Sequence, residues 1–115
     1  MKKFYGGVFI NNQILEEAGI KHPIKLEYYK NINYEYKYEE EKENQYNAQE
    51  QYNNFKYGIS VVKTEYLKDK NKVEEKEIKE LTNDEIKTEY LLNILKENYV
   101  TPIGLEDILN DIFRF

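Results

Sequence analysis

Residues 82–113 read TNDEIKTEYLLNILKENYVTPIGLEDILNDIF, and this stretch decides the fold. Thr82 and Glu85 have capping-box spacing, in which each side chain satisfies the other's free amide. The spacing predicts a helix from about Asn83 to Asn98, with Ile86, Tyr90, Leu91, Ile94 and Leu95 as its apolar stripe. Asn98-Tyr99-Val100 is a short break. Thr101 then caps a second helix, and Pro102 takes its first position, where a missing N–H costs nothing. Ile103, Leu105, Ile108, Leu109, Ile112 and Phe113 form a wide apolar band. Glu106, Asp107 and Asp111 lie off that band, two of them near the helix start, where the macrodipole favours acids. Two amphipathic helices joined this tightly bury their stripes against each other and against a third surface.

That surface lies upstream. From Lys25 to Tyr38 the chain alternates: Leu26, Tyr28, Ile32, Tyr34, Tyr36 and Tyr38 share one parity, and period two predicts a long strand with one buried face. Phe55, Tyr57, Ile59 and Val61 repeat the pattern in a second strand, Phe55–Tyr66. Asp69-Lys70-Asn71-Lys72 is a turn by composition. Val73–Leu81 reads as a third, edge-like strand whose lysines and glutamates discourage pairing with other chains. Glu39–Asn54 carries no apolar period and reads as a flexible connection or an extended hairpin tip. Phe4–Ile10 is a short strand or an irregular arm. Asn12 caps a short helix through Ala18 that Gly19 ends, and His22-Pro23 is a boundary. Strands before helices predict a small α+β domain, an antiparallel sheet of about three to four strands covered on one face by a C-terminal helical hairpin. The expected organisation is one domain over residues 1–115: an arm or extra strand or helix (1–25), the sheet (26–81) with its polar insertion (39–54), and the hairpin (82–115).

Composition narrows the function. The chain has no cysteine, which excludes disulfides, thiolate metal sites and cysteine catalysis. The net charge is −5. Acid concentrates in two places. Residues 39–54 hold five glutamates and one lysine, and residues 82–115 hold seven acids and three bases. Arg114 is the single arginine. Such a chain lacks the basic footprint of a duplex binder and the guanidinium forks that read guanine. Met1-Lys2-Lys3 followed by Phe4–Ile10 has the outline of a signal peptide, but Asn11, Asn12, Gln13 and Glu16 cut the apolar run too early. No segment approaches a membrane span, and a cytoplasmic location is expected. Heavy use of Lys, Glu, Asn, Ile and Tyr is the coding habit of an A+T-rich bacterial or phage genome.

Glu27-Tyr28-Tyr29, Tyr57-Gly58-Ile59 and the ending Val100–Phe113 carry a resemblance. Together they resemble a family of short clostridial proteins of unknown function whose last helix follows the pattern Val-Thr-Pro-x-x-Leu-x-Asp. Gly104 stands where that family favours a larger polar residue, and Asn110 where it favours Glu. The resemblance spans roughly residues 26–113 and leaves residues 1–25 outside. It implies a shared fold, and no activity, cofactor or catalytic residue.

Reactive constellations are missing. His22 has no second His or Cys as a metal or catalytic partner, and its place beside proline favours a loop or cap role. Ser60, the sole serine, lies mid-strand without a nucleophile-elbow pattern. Gly6-Gly7 is too short for a phosphate loop. Glu39, Glu40, Glu41 and Glu43 lack a turn glycine to organise their oxygens for a cation, and read as a solvated run. Asp107 and Asp111 share a helix face, but no base accompanies them. Neither metal nor cofactor is expected.

Tyrosine is the unusual abundance, at 12. Most of it closes the core with its hydroxyls at the rim, and Tyr29, Tyr46 and Tyr52 are candidates for an exposed surface. The expected function is a non-enzymatic acidic protein-binding module. It would be a small regulator or inhibitor docking through Tyr29, Glu39, Glu40, Glu41, Glu43, Tyr46, Tyr52, Asp107 and Asp111. A sharper form is a phage or mobile-element inhibitor whose acids mimic nucleic acid for a basic enzyme. The alternatives are a structural homo-oligomer assembled on the last helix and a single-stranded nucleic-acid binder with a tyrosine-rich sheet. Neither duplex nucleic acid nor membrane is an expected partner.

Overall fold

The computed structural model describes residues 1–10, 16–17, 19, 22–34 and 55–113. Strands β1 (Lys2–Ile10), β2 (Ile24–Tyr34), β3 (Phe55–Tyr66) and β4 (Asn71–Thr82) precede helices α1 (Glu85–Glu97) and α2 (Leu105–Phe113). The strands form an antiparallel meander in chain order, with β1 and β4 as its edges. This is the expected α+β architecture. Phe4–Ile10 belongs to a paired strand and is no irregular arm. Of the helix expected before Gly19, only Glu16 and Glu17 are described, and both are helical. Gly19 follows at φ +77°, the left-handed conformation glycine adopts freely. The expected continuation of β2 through Tyr36 and Tyr38 lies outside the described residues.

Period two sorts the sheet into two faces. Leu26 and Tyr28 from β2 and Ile59 and Val61 from β3 turn to the helices. There they meet Leu91, Leu92 and Leu95 of α1, Val100 of the connection, and Leu105 and Leu109 of α2. Each such leucine contributes about 1.5–3 kcal/mol by leaving water. Tyr28 is fully buried, and its hydroxyl donates to the Val100 carbonyl at 2.9 Å, fixing the helix connection to the middle of the sheet. Burial pushes the Tyr28 phenol well above its ordinary pKa.

Lys30 shares this face. Its side chain is 6% exposed, and its ammonium lies 2.6 Å from both Glu85 and Glu89, one turn apart on α1. Burial pulls the lysine's pKa down, but hydrogen bonds and charge from the two carboxylates outweigh it and hold the value above the ordinary one.

The helices differ from expectation in rotation and in caps. The buried side of α1 is Thr88, Leu91, Leu92 and Leu95, while Ile86 and Tyr90 are exposed. Thr88 enters the core because its hydroxyl donates back to the Asp84 carbonyl at 2.9 Å. The cap is Asp84, which accepts from the Lys87 amide, and not Thr82, which accepts instead from the Asp84 amide. The carboxylate outcompetes the hydroxyl for the helix start. The helix ends as Tyr99 turns left-handed at φ 52°. The Val100 amide then reaches the Leu95 carbonyl and the Tyr99 amide that of Lys96, the double bond of a Schellman stop. Thr101 caps as expected in kind: its hydroxyl and carbonyl both accept from the Gly104 amide. Residues 102–104 form a tight turn, and the α-helix proper starts at Leu105.

Gly58 is required. Opposite it, β4 crowds in at a register shift, and a Cβ would stand 2.1 Å from the Ile78 carbonyl oxygen and 2.2 Å from that of Lys79.

Candidate functional site

The helices cover one face of the sheet. On the other, the registers align Phe4, Tyr29, Ser60 and Glu77 in one row and Gly7, Glu27, Val62 and Glu75 in the next. Phe9, Lys25, Thr64 and Val73 form a third. Phe4 meets Tyr29 edge to face at 5.6 Å, and Phe9 stacks on Tyr66 at 6.3 Å. The ammonium groups of Lys2 and Lys25 lie over Tyr29 and Phe9 at 5.4 and 5.9 Å. Both are cation–π arrangements. Phe4, Phe9 and Val73 are exposed by more than half. Tyr29 and Tyr66 are half-buried. The Tyr29 hydroxyl donates to Glu27 at 3.2 Å, and burial first, then the Glu27 charge, raises its pKa.

A closed polar centre lies beside the Phe4–Tyr29 pair, at the end of the face away from Phe9 and Tyr66. The Asn31 amide donates to the Ser60 hydroxyl at 3.1 Å, and Ser60 in turn donates to Glu77 at 3.2 Å. Asn31 and Ser60 are buried although no described helix covers them. Among the described residues, Lys2 passes across them. From β1 it spans the sheet to β4, where its ammonium sits 2.6 Å from Glu75 and 3.9 Å from Glu77, roofing the two small side chains. The Glu75 hydrogen bond holds the Lys2 ammonium above the ordinary lysine pKa. A shallow cavity of about 130 Å³ adjoins this roof, lined by Met1, Lys2, Asn31, Asn33, Glu77 and Lys79. Ser60 is fully buried and gives its proton to a carboxylate, so its oxygen meets no solute from this face.

His22 stands just before β2, its Nε2 3.5 Å from Glu65 and without a hydrogen-bond partner. Among the described residues no three His, Cys, Asp or Glu side chains converge as metal ligands would. No described helix is long and apolar enough to cross a membrane.

Of the residues singled out from sequence, Tyr29 lies on the open face. Asp107 and Asp111 are exposed on α2, in the helical layer on the opposite side of the sheet, so the fold does not bring them to Tyr29. Glu39, Glu40, Glu41, Glu43, Tyr46 and Tyr52 lie outside the described residues. Sequence reasoning missed Phe4, Phe9 and Tyr66 as surface aromatics and missed the Lys2–Glu75 roof. Parity in β3 could have found Tyr66, which alternates with Ser60, Val62 and Thr64. No local signal announces a lysine that reaches across the whole sheet.

A four-stranded antiparallel meander with a helical pair on one face and an aromatic-edged open face defines a small α+β domain of two layers. Within that class the chain belongs to DUF6514, a family of unknown function, whose model matches residues 16–114. The match begins ten residues earlier than the resemblance placed it, and β1 still lies ahead of it. No curated protein and no solved structure matches the chain.

Proposed function

We propose that this domain is a non-enzymatic protein-binding module, a small regulator or inhibitor that docks on a protein partner through the open face of its sheet. One observation carries this: the face that no described helix covers presents Phe4, Phe9, Val73, Tyr29 and Tyr66, with a polar centre at one end whose groups are already paired with one another. Large aromatics that add contact area at little rotamer cost suit an interface, and a saturated polar centre leaves little desolvation penalty on docking. The acidic surplus supports the finer proposal that the partner is a basic nucleic-acid-binding enzyme. Residue usage and the clostridial resemblance support a bacterial or phage source. Affinity capture from source cells with wild-type protein and with Phe9→Glu/Tyr66→Glu tests the docking face. The partner is expected with the first and lost with the second while circular dichroism stays unchanged. Equal capture by both refutes it. For charge mimicry, binding must weaken with salt and with neutralisation of Glu39–Glu43 together with Asp107 and Asp111.

Ile103 and Ile112, exposed on and before α2, favour a second reading, self-assembly through the helical layer. Light scattering of wild type against Ile103→Asp/Ile112→Asp separates the two.

A further inference from the structure

The two edges of the sheet are unlike. In β4, seven of the twelve residues are charged, the protection that keeps an edge from pairing with another chain. In β1, no charge occurs from Phe4 to Ile10. The backbone groups of β1 that no described strand takes up can be assigned from its bonding. Met1 and Ile32 exchange both hydrogen bonds, at 2.8 and 2.7 Å. Alternation then turns Lys30, Tyr28, Leu26 and Ile24 of β2 toward β1. The odd residues turn toward β3, as the Pro23 carbonyl does in accepting from the Tyr66 amide at 3.0 Å. By the register, Lys3, Gly6, Val8 and Ile10 bond to β2, and Lys2, Phe4, Gly7 and Phe9 point their amides and carbonyls outward.

The spacing of those four is two, three, two. The middle step is longer because Tyr5 is the extra residue of a bulge between Phe4 and Gly6. The series reads the same in both directions. A regular extended peptide offers its groups at every second residue and falls out of step at the bulge. A second copy of β1, reversed, carries the same long step in the same place. We propose that two copies of this chain join antiparallel through β1 about a two-fold axis, forming one continuous eight-stranded sheet. Lys2 then lies opposite Phe9 of the second copy, Phe4 opposite Gly7, and Tyr5 opposite Gly6 beside the axis. Each of those two bulky rings faces a glycine, and the lysines of the two copies stand at opposite ends. The pairing rests on neither the open-face docking nor the exposed isoleucines.

Because the chain lacks cysteine, introduced pairs report without background. Lys2→Cys and Phe9→Cys lie roughly 20 Å apart along one strand, too far for a bridge within a chain. Across the dimer they are directly opposed. Under mild oxidation the double variant of the full chain is expected to give closed covalent dimers, and either single variant none. Single variants that cross-link as readily, a ladder of higher oligomers, or no cross-link at all would overturn the pairing. Phe9→Pro removes an outward N–H together with the Phe9 ring and takes no hydrogen bond from the β1–β2 ladder. In sedimentation, wild type is expected as a dimer, Phe9→Pro as a folded monomer, and Ile103→Asp/Ile112→Asp as a dimer. A monomeric wild type, or loss of the dimer in the isoleucine variant alone, refutes it. The latter result would assign assembly to the helical layer.

Discussion

Lys30 offers a test in which two ways of breaking one ion cluster have unequal costs. Its side chain is 6% exposed, whereas those of Glu85 and Glu89 are 47% and 49% exposed. In Glu85→Gln/Glu89→Gln the ammonium keeps its burial and loses both anions, at a cost of about 3–5 kcal/mol. The glutamine carbonyls recover part of this, so about 3 kcal/mol is expected. For a domain of this size that is a Tm lower by roughly 12 °C. In Lys30→Met the carboxylates turn to water, a stem of similar length fills the site, and the i,i+4 repulsion left behind is only about 0.2–0.5 kcal/mol. A change within about 1 kcal/mol is expected. Urea unfolding followed by circular dichroism measures both. The pH dependence has opposite signs. In wild type the Lys30 pKa is raised, so its contribution is complete below the ordinary lysine pKa and lost as pH rises through the folded value. In the glutamine variant the unpaired buried lysine is depressed, and the unfolded chain binds more protons, so stability recovers toward alkaline pH. Equal costs for the two variants, or a glutamine variant that weakens with alkali as wild type does, would refute the assignment.

Gly58→Ala is expected to cost at least about 2 kcal/mol in the same unfolding assay, since its Cβ would strike β4 backbone, while Gly104→Ala, with nothing nearer than 3.7 Å, changes stability by less than about 1 kcal/mol. Tyr99→Gly relieves a left-handed residue at the end of α1 and is expected to raise stability by about 0.5–1 kcal/mol, read as an increased urea midpoint. The Lys63 hydrogen bond holds the Glu65 carboxyl below its ordinary pKa. Its contribution is therefore present above the unfolded carboxylate pKa and disappears as pH falls through the folded value. Glu65→Gln is expected to flatten that part of an acid-unfolding curve.

The strands and the layer order were legible because period two survives in single residues. Leu26, Tyr28, Ile59 and Val61 fall at every second position and reach the core as read. In α1 the stripe came out rotated, since Ile86 and Tyr90 look like core residues by hydropathy, whereas Thr88 qualifies only once its hydroxyl is paid for by the Asp84 carbonyl. The open face was half legible. Tyr29 stood out as an aromatic of the wrong parity, but Phe4 and Phe9 are separated by five residues, and only the bulge at Tyr5 restores them to one face. Asn31 and Ser60 are polar by type and yet buried, and the lysine that crosses them lies 29 residues from one and 58 from the other. Long-range pairing of that kind leaves no periodic trace.

The central claim is that the uncovered face of the sheet meets the partner. A photoreactive phenylalanine analogue placed at Phe9, at Tyr66 or at Ile86 in source cells measures this directly. Cross-links to one and the same protein from the first two positions and none from Ile86 are predicted. Cross-links from Ile86 alone would contradict it.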